Sequence, residues 1–291
     1  MKIIYDYQTF ALQSYGGISR YFVRLAKSLM AQGVHINVVA PLHRNRYLKE
    51  LPKSSVLGVE FESFPPKTGR LALIANHHLS KFKLSSLPSD ILHETYYSAK
   101  SVSAEVKGRV ITVYDMIHEK YPSNFSIQDS TTKKKRLAVN RADHIICISE
   151  STKNDLCSMF NMPDDHITVV HLGFDKFEST STLVKIPNEV ARPFLLYVGS
   201  RGGYKNFNGL LRAVASSTSL KNTFDVVAFG GGSFNAAEQA MITQLGFCSD
   251  SVRQVGGGRR CAGPSICSCA CVCLPICLRR FWTAATGGHG A

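Results

Sequence analysis

Apolar residues in this chain fall into two kinds of pattern. Short continuous runs occur at Lys2–Tyr5, Val34–Ala40, Ile91–Tyr97, Arg109–Asp115, Asp143–Glu150, Phe194–Val198 and Phe224–Phe229. Runs of that length, bounded by polar or glycine-bearing turns, read as strands buried on both faces of a parallel sheet. Between them, apolar positions recur every three or four residues, at Ile18, Phe22, Leu25, Ala26 and Leu29 and again at Leu210, Leu211 and Val214. These predict helices over Ile18–Ala31 and after Asn206, with others ending near Ala142, following a Ser149 or Ser151 cap, and spanning Asn235–Leu245. Only the segment from Ala40 to Pro66 looks irregular. Alternating strands and helices predict an α/β protein built from two Rossmann-like halves. A polar linker rich in Ser and Thr at residues 178–182 divides a first domain, 1–180, from a second, 190–257.

The most informative stretch is Phe194–Leu211, FLLYVGSRGGYKNFNGLL. A buried strand, a glycine turn and a helix start follow one another directly. Gly199, Gly202 and Gly203 let the backbone approach a ligand, and Arg201 and Lys205 set two positive charges beside the free N–H groups of a helix start. That combination suits a diphosphate, although a plain turn with two solvated cations has the same sequence signature. A second glycine turn, Gly16-Gly17, precedes the first helix, and Gly230-Gly231-Gly232 closes a strand of the second half. Such a triplet is where a nucleotide's ribose or base approaches a backbone.

His93 sits in ILHETYY, at the end of a strand where open α/β sheets bind ligands. A histidine there either contacts a sugar and polarises a leaving group, or is a hydrogen-bonded part of the core. The bases Lys133–Arg136 read as a solvated helix face or as a contact for anionic lipid.

The 291 residues, 44% of them hydrophobic, suffice for two cores. The net charge of +13 points to an anionic partner without choosing among nucleotide sugar, lipid surface and nucleic acid. No stretch reaches the roughly 18 apolar residues of a membrane span, which predicts a cytosolic chain able to rest on the inner face of a membrane.

YVGSRGGYKNFNGLL, YGGISRYFVRLAKSLMAQGVHINVV and ADHIICISESTKNDL resemble the family-four glycosyltransferases of GT-B fold. The resemblance implies that Arg201 and Lys205 grip the diphosphate of a nucleotide sugar. It also implies that Gly16 and Gly17 lie against donor phosphates and acceptor, that Gly231 lines the donor pocket, and that His93 is catalytic. Many family members carry His where this chain has Tyr114. The family binds its donor mainly with the second domain and its acceptor mainly with the first, transfers between them with retention of configuration, and needs neither metal nor other cofactor. A mannosyltransferase taking GDP-mannose to a glycan or lipid-linked acceptor is the implied activity, with no nucleic acid as partner.

Residues 258–291 break the pattern. They hold six of nine cysteines, the only Trp, four of 34 basic residues and none of 21 acidic ones, so the rest carries 30 minus 21, or +9. No regular element is expected in this tail. Cys267, Cys269, Cys271 and Cys273 alternate with single residues, without the C-x-x-C spacing of structural zinc sites. Codons compatible with this tail, read one nucleotide later, can encode a YPS turn and EGFGLPPLE, the Glu-x7-Glu signature expected at this point in the family. A frame-shifted tail and a second domain truncated at 257, with weak or no transfer, are therefore expected. The alternative class is a non-catalytic basic protein that binds a nucleotide or another polyanion.

Overall fold

The computed structural model describes residues 1–102, 106–173, 192–248, 250–255 and the backbone of 271–273. The chain forms two compact units, Met1–Gly173 and Phe174–Ala291. The linker at 178–182 and most of the cysteine-rich tail lie outside the described residues.

The first unit holds β1 (Lys2–Tyr5), α1 (Gln8–Leu12), α2 (Gly17–Ala31), β2 (His35–His43), β3 (Val56–Glu60), α3 (Gly69–Leu84), β4 (Ile91–Glu94), β5 (Gly108–Val113), α4 (Ile117–Lys120), α5 (Thr131–Asn140), β6 (His144–Cys147), α6 (Glu150–Phe160) and β7 (Ile167–Val169). Its seven strands are all parallel, in the order β3-β2-β1-β4-β5-β6-β7. The apolar runs explain the central strands: Ile4, Tyr5, Val38, Val39, Leu92, Ile111 and Val113 are buried to 1% exposure or less. Ser149 caps α6 as expected, accepting from Thr152 N at 3.2 Å.

Two elements depart from the sequence reading. The stretch expected to be irregular contains the edge strand β3, and α3 follows it, held to the sheet by a buried polar side chain as well as by Leu73 and Leu84. Asn76, fully buried on α3, accepts from Leu42 N and donates to Leu42 O, both at 2.8 Å. The bases Lys133–Arg136 are not one solvated face either. Lys135 is fully buried, its Nζ 2.6 Å from Glu119 Oε2, 2.8 Å from the Asp115 carbonyl and 5.2 Å from the centre of the Tyr97 ring. An isolated ammonium could not persist there, and the carboxylate and carbonyl offset its lost hydration.

In the second unit, β8 (Phe194–Val198), α7 (Phe207–Ala215), α8 (Thr218–Thr223), β9 (Asp225–Phe229), α9 (Ala236–Gln244), β10 (Val252–Val255) and β11 (Cys271–Cys273) build a parallel sheet ordered β10-β9-β8-β11. Strand β11 corrects the expectation that the tail contributes no element: Cys271, Val272 and Cys273 pair with Leu195, Leu196 and Tyr197. Among the described residues of both units, no helix is long and apolar enough to cross a membrane and no cluster of His, Cys, Asp or Glu could hold a metal.

Both sheets reverse their winding direction beside their first strand, between β1 and β4 in one unit and between β8 and β11 in the other. Crevices outside the carboxyl ends of strands at such reversals are where open α/β sheets bind ligands.

Candidate functional site

In the second unit the Gly199–Asn206 loop leaves the carboxyl end of β8 at this reversal. Gly199 has φ +116° and hands its N–H to Phe229 O at 2.9 Å, so the backbone turns out of the strand where no other residue would fit comfortably. The Tyr197 hydroxyl donates to Ser200 O at 2.8 Å and lies 3.1 Å from Lys205 O, tying the two ends of the loop together. Asn206, at φ 50°, caps α7 through Gly209 N at 3.2 Å.

Arg201 is not a loose cation at the rim. It is 8% exposed, and its Nε donates to Glu238 Oε1 at 2.8 Å while Nη2 reaches Glu238 Oε2 at 3.2 Å. Nη1 donates to Gly230 O at 2.9 Å and Nη2 to Ser233 O at 3.0 Å, with the Phe234 ring 4.8 Å from the guanidinium carbon. Glu238 is itself fixed, forming a capping box with Asn235 at the start of α9. The Arg201 donors hold the Glu238 carboxyl below its usual range. Gly231, at φ +73°, completes the arrangement: a Cβ there would stand 2.7 Å from Arg201 Nη1 and 3.2 Å from Gly199 O.

Lys205 behaves differently. Half-buried, its Nζ hangs over the turn, 3.6 Å from where a Cβ on Gly199 would sit, and makes only a long approach to the Tyr204 ring at 5.9 Å. No ion pair of Lys205 occurs among the described residues. The structure therefore brings Arg201, Lys205 and Gly231 together, with Arg201 built into the frame and Lys205 presenting the charge.

In the first unit Gly16 and Gly17 begin α2. Gly16 is extended, and the Gln13 side chain occupies the space its Cβ would take, with Oε1 2.1 Å from that position. Gln13 Oε1 accepts from Ser19 N at 3.3 Å, so this chain supplies its own acceptor to the helix start. Nothing lies within 4 Å of a Cβ on Gly17.

His93 lies in the core of the first unit. It is 5% exposed, Nε2 lies 2.9 Å from Thr112 Oγ1, and its ring meets the edges of Phe22 and Tyr5 at 4.9 and 5.6 Å. Burial lowers its pKa to about 3, so the ring is neutral. Because side chains alternate across a strand, His93 points into the packing beneath α2.

Asp6, which the sequence reading passed over, occupies the reversal between β1 and β4. Its Oδ1 accepts from Thr95 N at 2.9 Å and Thr95 Oγ1 at 2.5 Å, and Oδ2 from Gln8 Nε2 at 2.6 Å. Burial, then the nearby Glu94 carboxylate, raise its pKa to about 6 against those hydrogen bonds. Glu94 is held by Arg141, Nε to Oε1 at 3.0 Å. The only sequence signal was an acid directly after a four-residue apolar strand.

Two Rossmann-like units, each with its crevice at the winding reversal, define the GT-B class. The family model for Glycosyltransferase Family 4 matches residues 15–176, more than half of the chain, and the protein belongs to that family. No curated protein sequence matches it. Among solved structures it is similar to Anabaena HepE in complex with UDP, at 18% identity and TM-score 0.60 over 92% of this chain and 72% of that one. A glycosyltransferase from Rickettsia africae matches at 19% identity and TM-score 0.56, over 89% and 69% of the two chains. A UDP-N-acetylglucosamine 2-epimerase matches at 11% identity and TM-score 0.52, over 89% and 68%. Transferases and an epimerase thus share this fold, and the family match, not the fold, identifies a glycosyltransferase.

Proposed function

We propose that the protein binds a nucleotide sugar through its second unit, with Lys205 as the direct ligand of the diphosphate and Arg201 as the clamp that shapes the loop around it. The observation that carries this reading is the division of labour between the two cations. Four hydrogen bonds occupy Arg201, whereas Lys205 overhangs a glycine turn at the carboxyl end of β8 with the Tyr204 ring at 5.9 Å and no ion pair among the described residues. One Nη1 hydrogen of Arg201 remains for a phosphate oxygen. Gly231 keeps space for the guanidinium, and Gly17 offers an unobstructed backbone at the start of α2.

In the reaction so proposed, an acceptor hydroxyl forms a bond to the sugar's anomeric carbon as the bond to the diphosphate oxygen breaks, with retention of configuration. The nucleoside diphosphate leaves with the electron pair of that bond, and the hydroxyl proton departs with a base. Lys205 stabilises the charge that grows on the leaving phosphate. The donor is a nucleoside diphosphate hexose, GDP-mannose by family resemblance or a UDP-sugar by the UDP bound to HepE. The acceptor is a glycan or lipid-linked sugar, reached by peripheral contact with a membrane. Domains 1–180 and 190–257 divide these tasks, no metal or cofactor takes part, and nucleic acid is not a partner. Residues 258–291 are read as out of frame, so the Glu-x7-Glu carboxylates are missing and turnover is slow; the nucleotide sequence after Gly257 tests that part.

Calorimetric titration with UDP-glucose and GDP-mannose tests the donor reading. Binding of either that is lost in Lys205→Ala supports it; equal affinity in the variant refutes it.

A further inference from the structure

Helix α3 keeps much of its apolar surface outside the core. Its buried positions are Ala72, Asn76, Ser80 and Leu84, small or polar apart from the last, and Asn76 clasps Leu42 on β2. Leu73 packs partly buried against the core, but the other large apolar residues apart from Leu84 are exposed: Leu71 66%, Ile74 56%, Leu79 43% and Phe82 79%. Leu71, Ile74, His78 and Phe82 follow the three-to-four-residue spacing of a single helical face. An ordinary surface helix presents the opposite pattern, and a contiguous exposed stripe of this kind marks an interaction surface.

The charges beside the stripe identify the partner. Arg70, Lys81 and Lys83 flank it, Lys67 precedes the helix, and no acidic residue occurs between Glu62 and Asp90. His77 has its pKa lowered, by burial first and then by His78, Lys100 and Lys81, and adds no charge near neutral pH. Beyond the helix end, Lys81 and Leu84 help line a cavity of about 740 Å³ whose other charged residues are Lys2, Lys107 and Asp90. A second copy of this face would set Arg70, Lys81 and Lys83 against their own kind. An anionic bilayer meets both features, taking the apolar side chains into its interface and the cations among its headgroups.

We propose that α3 is the surface by which the protein docks on an anionic membrane, lying in the plane of the interface with Leu71, Ile74 and Phe82 inserted. This deepens the reading of the protein as a peripheral transferase for lipid-linked acceptors and names the surface responsible.

The test is flotation of the full chain with vesicles of phosphatidylcholine alone and of phosphatidylcholine with phosphatidylglycerol. Flotation with the anionic vesicles only is expected. Each basic residue at such a surface contributes about five-fold in affinity, so the double variant Lys81→Glu with Lys83→Glu should weaken partitioning at least ten-fold, as should Ile74→Gln with Phe82→Ser. These positions are exposed, and an unchanged melting temperature checks that the fold survives. Equal flotation with neutral vesicles, no flotation with anionic ones, or retention by both variants overturns the proposal. So does concentration-dependent dimerisation that Phe82→Ser abolishes, because the stripe would then be a contact between copies. Nucleotide-sugar titration of the same variants without vesicles stays unchanged, which separates failure of the docking surface from failure of the donor site.

Discussion

Glu238 grips Arg201 with both carboxylate oxygens, at 2.8 Å to Nε and 3.2 Å to Nη2, and in the same residue caps the helix that carries it. The glycine loop after β8 and the start of α9 are thereby fixed to each other. Removing the carboxylate leaves a nearly buried guanidinium without its counter-ion, and Glu238→Ala should cost roughly 2–3 kcal/mol in urea unfolding. Arg201→Lys should not recover the wild-type value, since a single ammonium cannot reproduce the forked pair or the bonds to Gly230 and Ser233. A fully stable lysine variant would show that the fork is dispensable.

Gly231 makes the same clamp sensitive to a single methyl. Its φ of +73° disfavours any side chain by about 1–2 kcal/mol, and the added Cβ would press on Arg201 Nη1. Gly231→Ala is expected to lower stability and to weaken nucleotide binding together. Wild-type values for both, read by thermal melting and calorimetry, would count against the packing described.

The Lys135–Glu119 pair should show the penalties of an interior charge. Lys135→Ala strands Glu119 and should destabilise the first unit by about 3–5 kcal/mol. The double variant Lys135→Met with Glu119→Gln removes both charges and should recover much of the loss. A double variant as unstable as the single one, by chemical denaturation, would place the cost elsewhere.

Asp6 gives the first unit a pH dependence. Its folded pKa of about 6 stands above the ordinary aspartate value of 3.8, so the folded state holds the proton more tightly than the unfolded chain. The resulting stability is fully present below pH 3.8 and lost as pH rises through about 6, an effect on the order of 3 kcal/mol. His93 works against it: its folded pKa of about 3 lies below the ordinary 6.5, so its contribution to stability is present above pH 6.5 and is lost as pH falls toward 3. In melting temperatures measured from pH 4 to 8, the wild type should gain stability relative to Asp6→Asn as pH falls through about 6, since the His93 contribution is common to both and cancels in the difference. A difference between the two proteins that does not change with pH would show that Asp6 carries no raised pKa.

The architecture was legible because buried parallel strands need unbroken apolar runs, and β1, β4, β6, β8 and β9 all lie within the segments where such runs occur. Helix α3 escaped because it is anchored by Asn76 and small residues as well as by Leu73 and Leu84, so its apolar residues do not by themselves mark the buried face. At the site, the spacing of glycines, Arg201 and Lys205 located the loop, and the structure does bring them together with Gly231. Their separate roles were not legible, since Glu238 lies 37 residues from Arg201 in sequence and only the tertiary fold joins them. The setting of His93 was not legible for a related reason: the end of a strand has two sides, and only the pleat direction shows that this ring turns inward. Asp6 and Thr95 meet across 89 residues, which no local pattern encodes.

Lys205 decides the account. Calorimetric titration of UDP and GDP into the wild type, Lys205→Ala and Arg212→Ala compares the loop lysine with a basic residue in the last turn of α7. The account predicts saturable binding of one nucleotide, a loss of about ten-fold or more in Lys205→Ala, wild-type affinity in Arg212→Ala, and the same melting temperature in all three proteins. Equal binding by wild type and Lys205→Ala would contradict it, as would an equal, salt-dependent loss in both variants, the signature of a merely basic surface.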